Sequence, residues 1–293
     1  MKVFSMCTQP ITVVSPNPIR HQEETASRMR PKKSAFLLVF LFLLGFLSPQ
    51  AGFSAMPAPN MAPFSPGERL TFHLRWGIIP VGEATLEVKP LTTRDGVQVY
   101  HFSARAKSNA FVDAFYKVRD QIDAYTETGM TRSLHYRQEQ QEGSTRRDIT
   151  IYFDWKKNEA QHVNYGEKRP PIPIQPGTFD PLSVFYFARL KEMVPGAVIK
   201  QWVTDGKRCV IGKGIVVRRE KVRMGNKMVD SILFEPECKE VRGVFEQSPG
   251  ARIEVWLTDD SHRIPVKIRS KVIVGSFTGE LVSAEGVNGF KFN

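Results

Sequence analysis

Cysteine is scarce in this chain of 293 residues: Cys7, Cys209 and Cys238 are all it has. There is no C-x-x-C, no H-E-x-x-H and no His-x-x-x-His, so the short motifs that hold zinc or run dithiol chemistry are missing. G-x-S-x-G, which presents a nucleophilic serine on a sharp turn, is missing too. Gly212-Lys213-Gly214 lacks a third glycine and opens no helix, so it reads as a bulge and not as a phosphate cradle. Acidic residues are in deficit, 30 against 41 Lys and Arg, but the excess is scattered and carries no aromatic RNA-binding motif. These absences argue against a metal centre, a familiar cofactor and a nucleic-acid partner, and leave no catalytic constellation to build an enzyme on. Long apolar runs are also rare, and the single one present is informative.

That run is Ala35–Leu47. Arg28, Arg30, Lys32 and Lys33 precede it, and the small-residue stretch Ser48–Ala55 follows. Basic, apolar and small-residue parts in that order make a secretory signal peptide. At 1.5 Å per residue the run spans roughly 20 Å as a helix, short of the roughly 30 Å hydrocarbon core, which favours cleavage over anchoring. The expected mature chain starts between Phe53 and Pro57, with Met29 as an alternative translation start to Met1. It is expected to be exported and periplasmic, with outer-membrane association allowed and no stable span after cleavage. Residues 56–293 carry a net charge of +7, which suits a lipid surface or an anionic envelope polymer. Cys209 and Cys238 then share an oxidising compartment, where a disulfide or two buried thiols are both open.

Beyond the Pro-rich lead at 56–66, a single β-rich domain is expected over 67–293. Leu70, Phe72, Leu74 and Trp76 alternate with polar residues, the period of a half-buried strand. Ile149, Ile151, Phe153 and Trp155 do the same against Asp148, Thr150, Tyr152 and Asp154. Turn signals recur at Asp95-Gly96, Asp205-Gly206 (read as type I′) and Gly225-Asn226. One good helix start stands out: Asp180 as the capping residue, Pro181 in the first turn, and a run to Lys191 closed by Pro195-Gly196. The expected fold is all-β: an antiparallel curved sheet, open barrel or half-barrel of about a dozen strands, with one helix on a face or open end.

Several pieces in order resemble a known pattern. They are Gly67–Phe72, Trp76-Gly77, Val81–Ala84, Tyr116–Asp120, Asp180–Ser183, Ile253–Asp260 and Arg263–Ile268. Together they resemble the exported bacterial family called domain of unknown function 3108 (DUF3108). The resemblance implies an exported, β-rich envelope protein and carries no functional residue with it. The hairpin at 256–268 is also weakly similar to strands of periplasmic lipoprotein carriers, half-barrels whose apolar cavity is plugged by a helix.

The candidate site follows from the aromatic strand faces. Trp76, Phe102 and Phe153 are expected to line an apolar pocket, with the helix as lid and Phe185 and Tyr186 facing in. Arg119 and Arg189 would meet an anionic head group at its rim. Ordinary core and surface ion pairs are the plainer readings of the same residues. Asp120, Asp123, Asp148 and Asp154 fall on strands, where two could face each other as in a glycosidase or simply form a polar face. The expected function is a non-enzymatic binding or carrier protein for an apolar or amphiphilic ligand. A structural or assembly factor is the alternative, and a periplasmic hydrolase the third.

Overall fold

The structure, a computed structural model, describes residues 62–237, 252–271, 276–287, 289 and 290. The leader, its cleavage site and Cys238, and with it the Cys209–Cys238 bridge, lie outside the described residues. The strands and helices run in chain order as β1 (Arg69–Trp76), β2 (Ile79–Arg94), β3 (Val97–Ser108), α1 (Ala110–Asp113), β4 (Val118–Glu127), β5 (Ser133–Glu142), β6 (Thr145–Asp154) and β7 (Glu159–Asn164). They continue as β8 (Glu167–Lys168), β9 (Ile172–Pro173), α2 (Ser183–Arg189), β10 (Val198–Thr204), β11 (Cys209–Met224), β12 (Lys227–Glu237), β13 (Arg252–Thr258), β14 (Pro265–Lys271) and β15 (Ser276–Glu285).

The fifteen strands of the described residues form one antiparallel sheet that does not close. Two meanders, β1 to β8 and β10 to β15, join where β1 pairs with β15. Leu70 and Phe72 of β1 are buried while Arg69 and His73 are exposed, as period-two alternation requires. β13 departs from that pattern, with Ile253–Thr258 buried throughout. One side of it packs with Ala188, Met193 and Val216, and the other, through Trp256, with Leu70, Phe72 and Leu281. A strand covered on both faces reads as a continuous apolar run.

The open edge of β10 is covered by the chain entering α2. Phe179 N–H donates to Trp202 O and Thr204 N–H donates to Phe179 O, both at 2.9 Å. Ser133 N–H at the start of β5 donates to Thr178 O at 3.2 Å, so the same segment ties the two halves of the sheet together. Asp180 caps the helical turn as its position predicts: its carboxylate accepts from Leu182 N–H at 2.9 Å, Ser183 N–H at 2.8 Å and the Ser133 hydroxyl. Burial raises the Asp180 pKa, against these hydrogen bonds, which lower it. The helix itself is shorter than the expected 180–191, since Pro181 and Leu182 form a turn before Ser183.

Candidate functional site

The expected apolar pocket is a packed core. Phe102 and Tyr186 are fully buried and stack with ring centres 3.9 Å apart. Phe64 packs edge-on against both, at 5.6 and 5.2 Å, and against Tyr100 at 5.5 Å. The plug is therefore a residue of the Pro-rich lead together with the helix. Phe185 packs edge-on to Tyr186, and Phe153 stacks on Trp155 at 5.9 Å, so both join this core. Trp76 is not in it. It sits at the end of β1, 42% exposed, stacked on Phe277.

The two arginines are also displaced from their expected place at a rim. Arg189 is buried and makes a bidentate pair with Glu68, at 2.6 and 2.9 Å, while its Nη2 also donates to Pro63 O and His262 O at 3.0 Å. The guanidinium thus clamps α2 onto the entry to β1 and the turn before β14. Arg119 is half-buried beside α1, where Nη1 donates to Asp113 at 3.0 Å. Neither is available to a head group in the core.

A cavity lies elsewhere among the described residues, against the inner faces of β5, β6 and β7. It has a volume of about 360 Å³, near the lower end of roughly 300–1,000 Å³ for small-molecule sites. Its floor is Tyr136, Ile149 and Ile151, with Pro181 from the α2 entry. Gln138, Arg147, His162 and Asn164 supply polar groups from the same inward faces, and Lys168 of β8 adds charge together with Arg169 and Lys207 from loops. Glu167 and Asp205 are the acidic members.

Strand register explains how these groups meet. Ile151 pairs with Tyr136 on one side and His162 on the other, and Arg147 pairs with Gln140 four residues along the same face. The fourth wall is the β10–β11 turn. A Cβ on Gly206 would lie 3.0 Å from His162 Cβ and 3.2 Å from an Ile151 side-chain carbon, so the turn packs straight onto β6 and β7. This turn is not the expected type I′. Only Gly206 is left-handed, at φ +75°, and the Asp205 carboxylate instead accepts from the backbone of Lys207 and Arg208 at 2.9 and 3.1 Å.

His162 is the telling group. It is 3% exposed, lines the cavity, and neither ring nitrogen has a hydrogen-bond partner in the protein. Buried polar atoms of this kind are rare, because leaving one unmet costs about 1–3 kcal/mol. Burial first, then the charges of Lys207 and Arg169, push its pKa below the ordinary histidine value, which keeps the ring neutral. Tyr136 donates to Gln138 Oε1 at 3.2 Å, and burial raises its pKa, so it too stays neutral. The arrangement can accept a compact anion: basic groups on several sides and an apolar floor. Among the described residues no three His, Cys, Asp or Glu side chains are placed to hold a metal ion. No helix of the described residues is long and apolar enough to cross a membrane.

The sequence reading missed His162, Arg147 and Lys207. The signal for Arg147 was present: two residues back along the Ile149, Ile151, Phe153 face, alternation points it inward. His162 and Lys207 gave none, because their meeting depends on a turn 40 residues away.

Among solved structures, the chain is similar to a beta-barrel-like protein of domain of unknown function DUF1849 from Brucella abortus. That match has 12% identity and a TM-score of 0.49, and covers 74% of this chain and 96% of the other. A chain from Parabacteroides distasonis, provisionally named a lipoprotein, matches at 11% identity and a TM-score of 0.31, over 75% and 95% of the two chains. No curated protein matches. The model of one protein family matches residues 71–282, which take in β1 through most of β15. The chain thus belongs to the family described as Protein of unknown function (DUF3108).

Proposed function

We propose that this is an exported, non-enzymatic binding protein whose ligand is a compact amphiphilic anion held in the cavity between β5–β7 and the β10–β11 turn. The observation that carries the reading is the lining of the cavity, Lys168, Arg169 and Lys207 over Tyr136, Ile149 and Ile151, with the neutral His162 ring buried beside it. An anionic group there would sit among the side chains of Lys168, Arg169 and Lys207. The Tyr136, Ile149 and Ile151 floor would take a short apolar part. At about 360 Å³ the cavity suits a head group or a short-chain acid better than a long acyl chain.

Binding of an anion also raises the pKa of a neighbouring histidine, so ligand and proton uptake are linked. The expected outcome is tighter binding as pH falls below neutrality, until the carried group is itself protonated. The test is native mass spectrometry of protein purified from the envelope, followed by thermal-shift titration with the species recovered. A bound anionic mass should be present in the parent and lost from Lys207→Glu and Arg169→Glu. A parent that runs at the bare chain mass and shows no shift with short-chain carboxylates or phosphomonoesters would remove this reading. The structural or assembly alternative would then stand, supported by the solid packing of Phe64, Phe102 and Tyr186.

A further inference from the structure

Large apolar side chains are exposed together at one end of the sheet. Ile78 is 86% exposed, Phe111 67% and Phe115 68%, and Trp76, Tyr116 and Phe277 are each more than two-fifths exposed. Strand pairing and turn contacts bring these residues to the same end. Trp76 pairs with Ile79 on β2 and with Phe277 on β15. Asn109 holds α1 against the start of β2, through N–H to Val81 O at 2.9 Å and Nδ2 to Pro80 O at 2.8 Å. Gly143 N–H in the β5–β6 turn donates to Lys117 O at 2.9 Å, and the Tyr116 ring lies against Gly143.

The turns at the opposite end of these strands differ. They carry Asp95-Gly96 and Lys156-Lys157-Asn158, and no exposed aromatic among the described residues. The apolar end is also basic. Residues 75–83, 105–119, 142–147 and 165–169 hold nine Lys or Arg against four Asp or Glu. Apolar tips interleaved with cations are what an anionic lipid–water interface selects. Aromatic rings settle at head-group depth, and long basic side chains reach the phosphates. Separate tips on short turns also suit a yielding surface better than a rigid partner, which needs a continuous complementary face.

We infer that this end of the sheet docks on an anionic membrane surface, with Trp76, Ile78, Phe111 and Phe115 inserted at head-group depth. Arg147 near the start of β6, Lys168 of β8 and the adjoining Arg169 lie at this end, so docking would set the cavity close to the lipid. The inference does not depend on the cavity being occupied.

The test is fluorescence quenching of the full chain by vesicles with brominated acyl chains, either all phosphatidylcholine or with about a third phosphatidylglycerol. The expected result is quenching on the anionic vesicles, weakened by salt and absent in Trp76→Phe, which removes the tryptophan at the surface. The triple variant Ile78→Ser, Phe111→Ser, Phe115→Ser should bind about tenfold more weakly or worse, with an unchanged melting temperature because its sites are exposed. Lys207→Glu should dock like the parent, which separates this inference from the cavity reading. Equal binding by the triple variant would overturn the inference, as would quenching that survives Trp76→Phe. So would self-association in sedimentation velocity that the triple variant abolishes, since the patch would then be an interface between two copies of the chain.

Discussion

The inward face of β2–β7 is filled in two ways. Where α2 crosses it, Phe64, Phe102 and Tyr186 fill the space, and the buried pair Glu68–Arg189 donates on to the Pro63 and His262 carbonyls, with Arg189 Nε and the Tyr186 hydroxyl left without a partner. Along β5–β7, the same inward positions carry Gln138, Arg147, His162 and Asn164 around a void. The contrast is one of filling: the aromatic set, which looked like a binding surface in the sequence, is the solid part, and the polar positions of β5–β7 surround the void.

The sharpest way to break the comparison is at Arg189. Arg189→Met leaves Glu68 as an uncompensated buried charge and should cost about 3–5 kcal/mol in urea denaturation. Glu68→Leu with Arg189→Met should recover most of that loss. A single variant costing under about 1 kcal/mol would mean that the pair does not hold α2 in place.

Enlarging side chains tests the filling directly. Ala104→Leu, against the packed cluster, should cost about 1–3 kcal/mol. Ile149→Phe, which faces the cavity, should cost under about 1 kcal/mol because the added atoms have somewhere to go. Equal costs would erase the distinction between the two regions.

A third test uses pH. Asp120, beside Gln140 on the inward face of β4, is raised from 3.8 to about 7. Burial is the main cause, opposed by the Gln141 N–H and reinforced by the neighbouring Glu142. A carboxyl whose folded pKa is raised contributes stability that is full below its unfolded value and lost as pH rises through about 7. Asp120→Asn keeps the acceptor for Gln141 but carries no charge. It should therefore stabilise the protein at pH 8, by roughly 1–2 kcal/mol after solvent screening, and change little near pH 4. Stabilisation of equal size at both pH values would show that charge is not the cause. The smallest expected effect is at the α2 entry, where Asp180→Ala should cost about 1 kcal/mol through the lost cap. An unchanged denaturation midpoint would mean that the cap contributes nothing.

Local rules made much of this fold legible. Period-two alternation located β1 and β6 with the correct faces, and Asp180 with Pro181 located the turn into α2. The ordered pieces from Gly67 to Ile268 pointed to the family. Long-range pairing was not legible. Arg189 on a short amphipathic helix looks like a surface cation until Glu68, 121 residues earlier, is seen to close on it. Phe64, in a stretch rich in proline, carries no period at all, yet it fills the volume that the sequence assigned to a ligand. The cavity needed both kinds of information: alternation for Arg147, and the packing of the 205–206 turn for His162 and Lys207.

The pairing of β1 with β15 has a consequence for how the chain is made. β1 has β2 beside it early, but its other edge has no partner until residues 276–285 are available. The middle of the sheet is thus the last part to be zipped, and the contacts that complete it have nearly the greatest sequence separation the domain allows. Such a topology folds slowly. A chain truncated before residue 276 would be left with a bare internal strand edge, the kind of edge that recruits other chains. Synthesis has to pass β15 before both edges of β1 are paired.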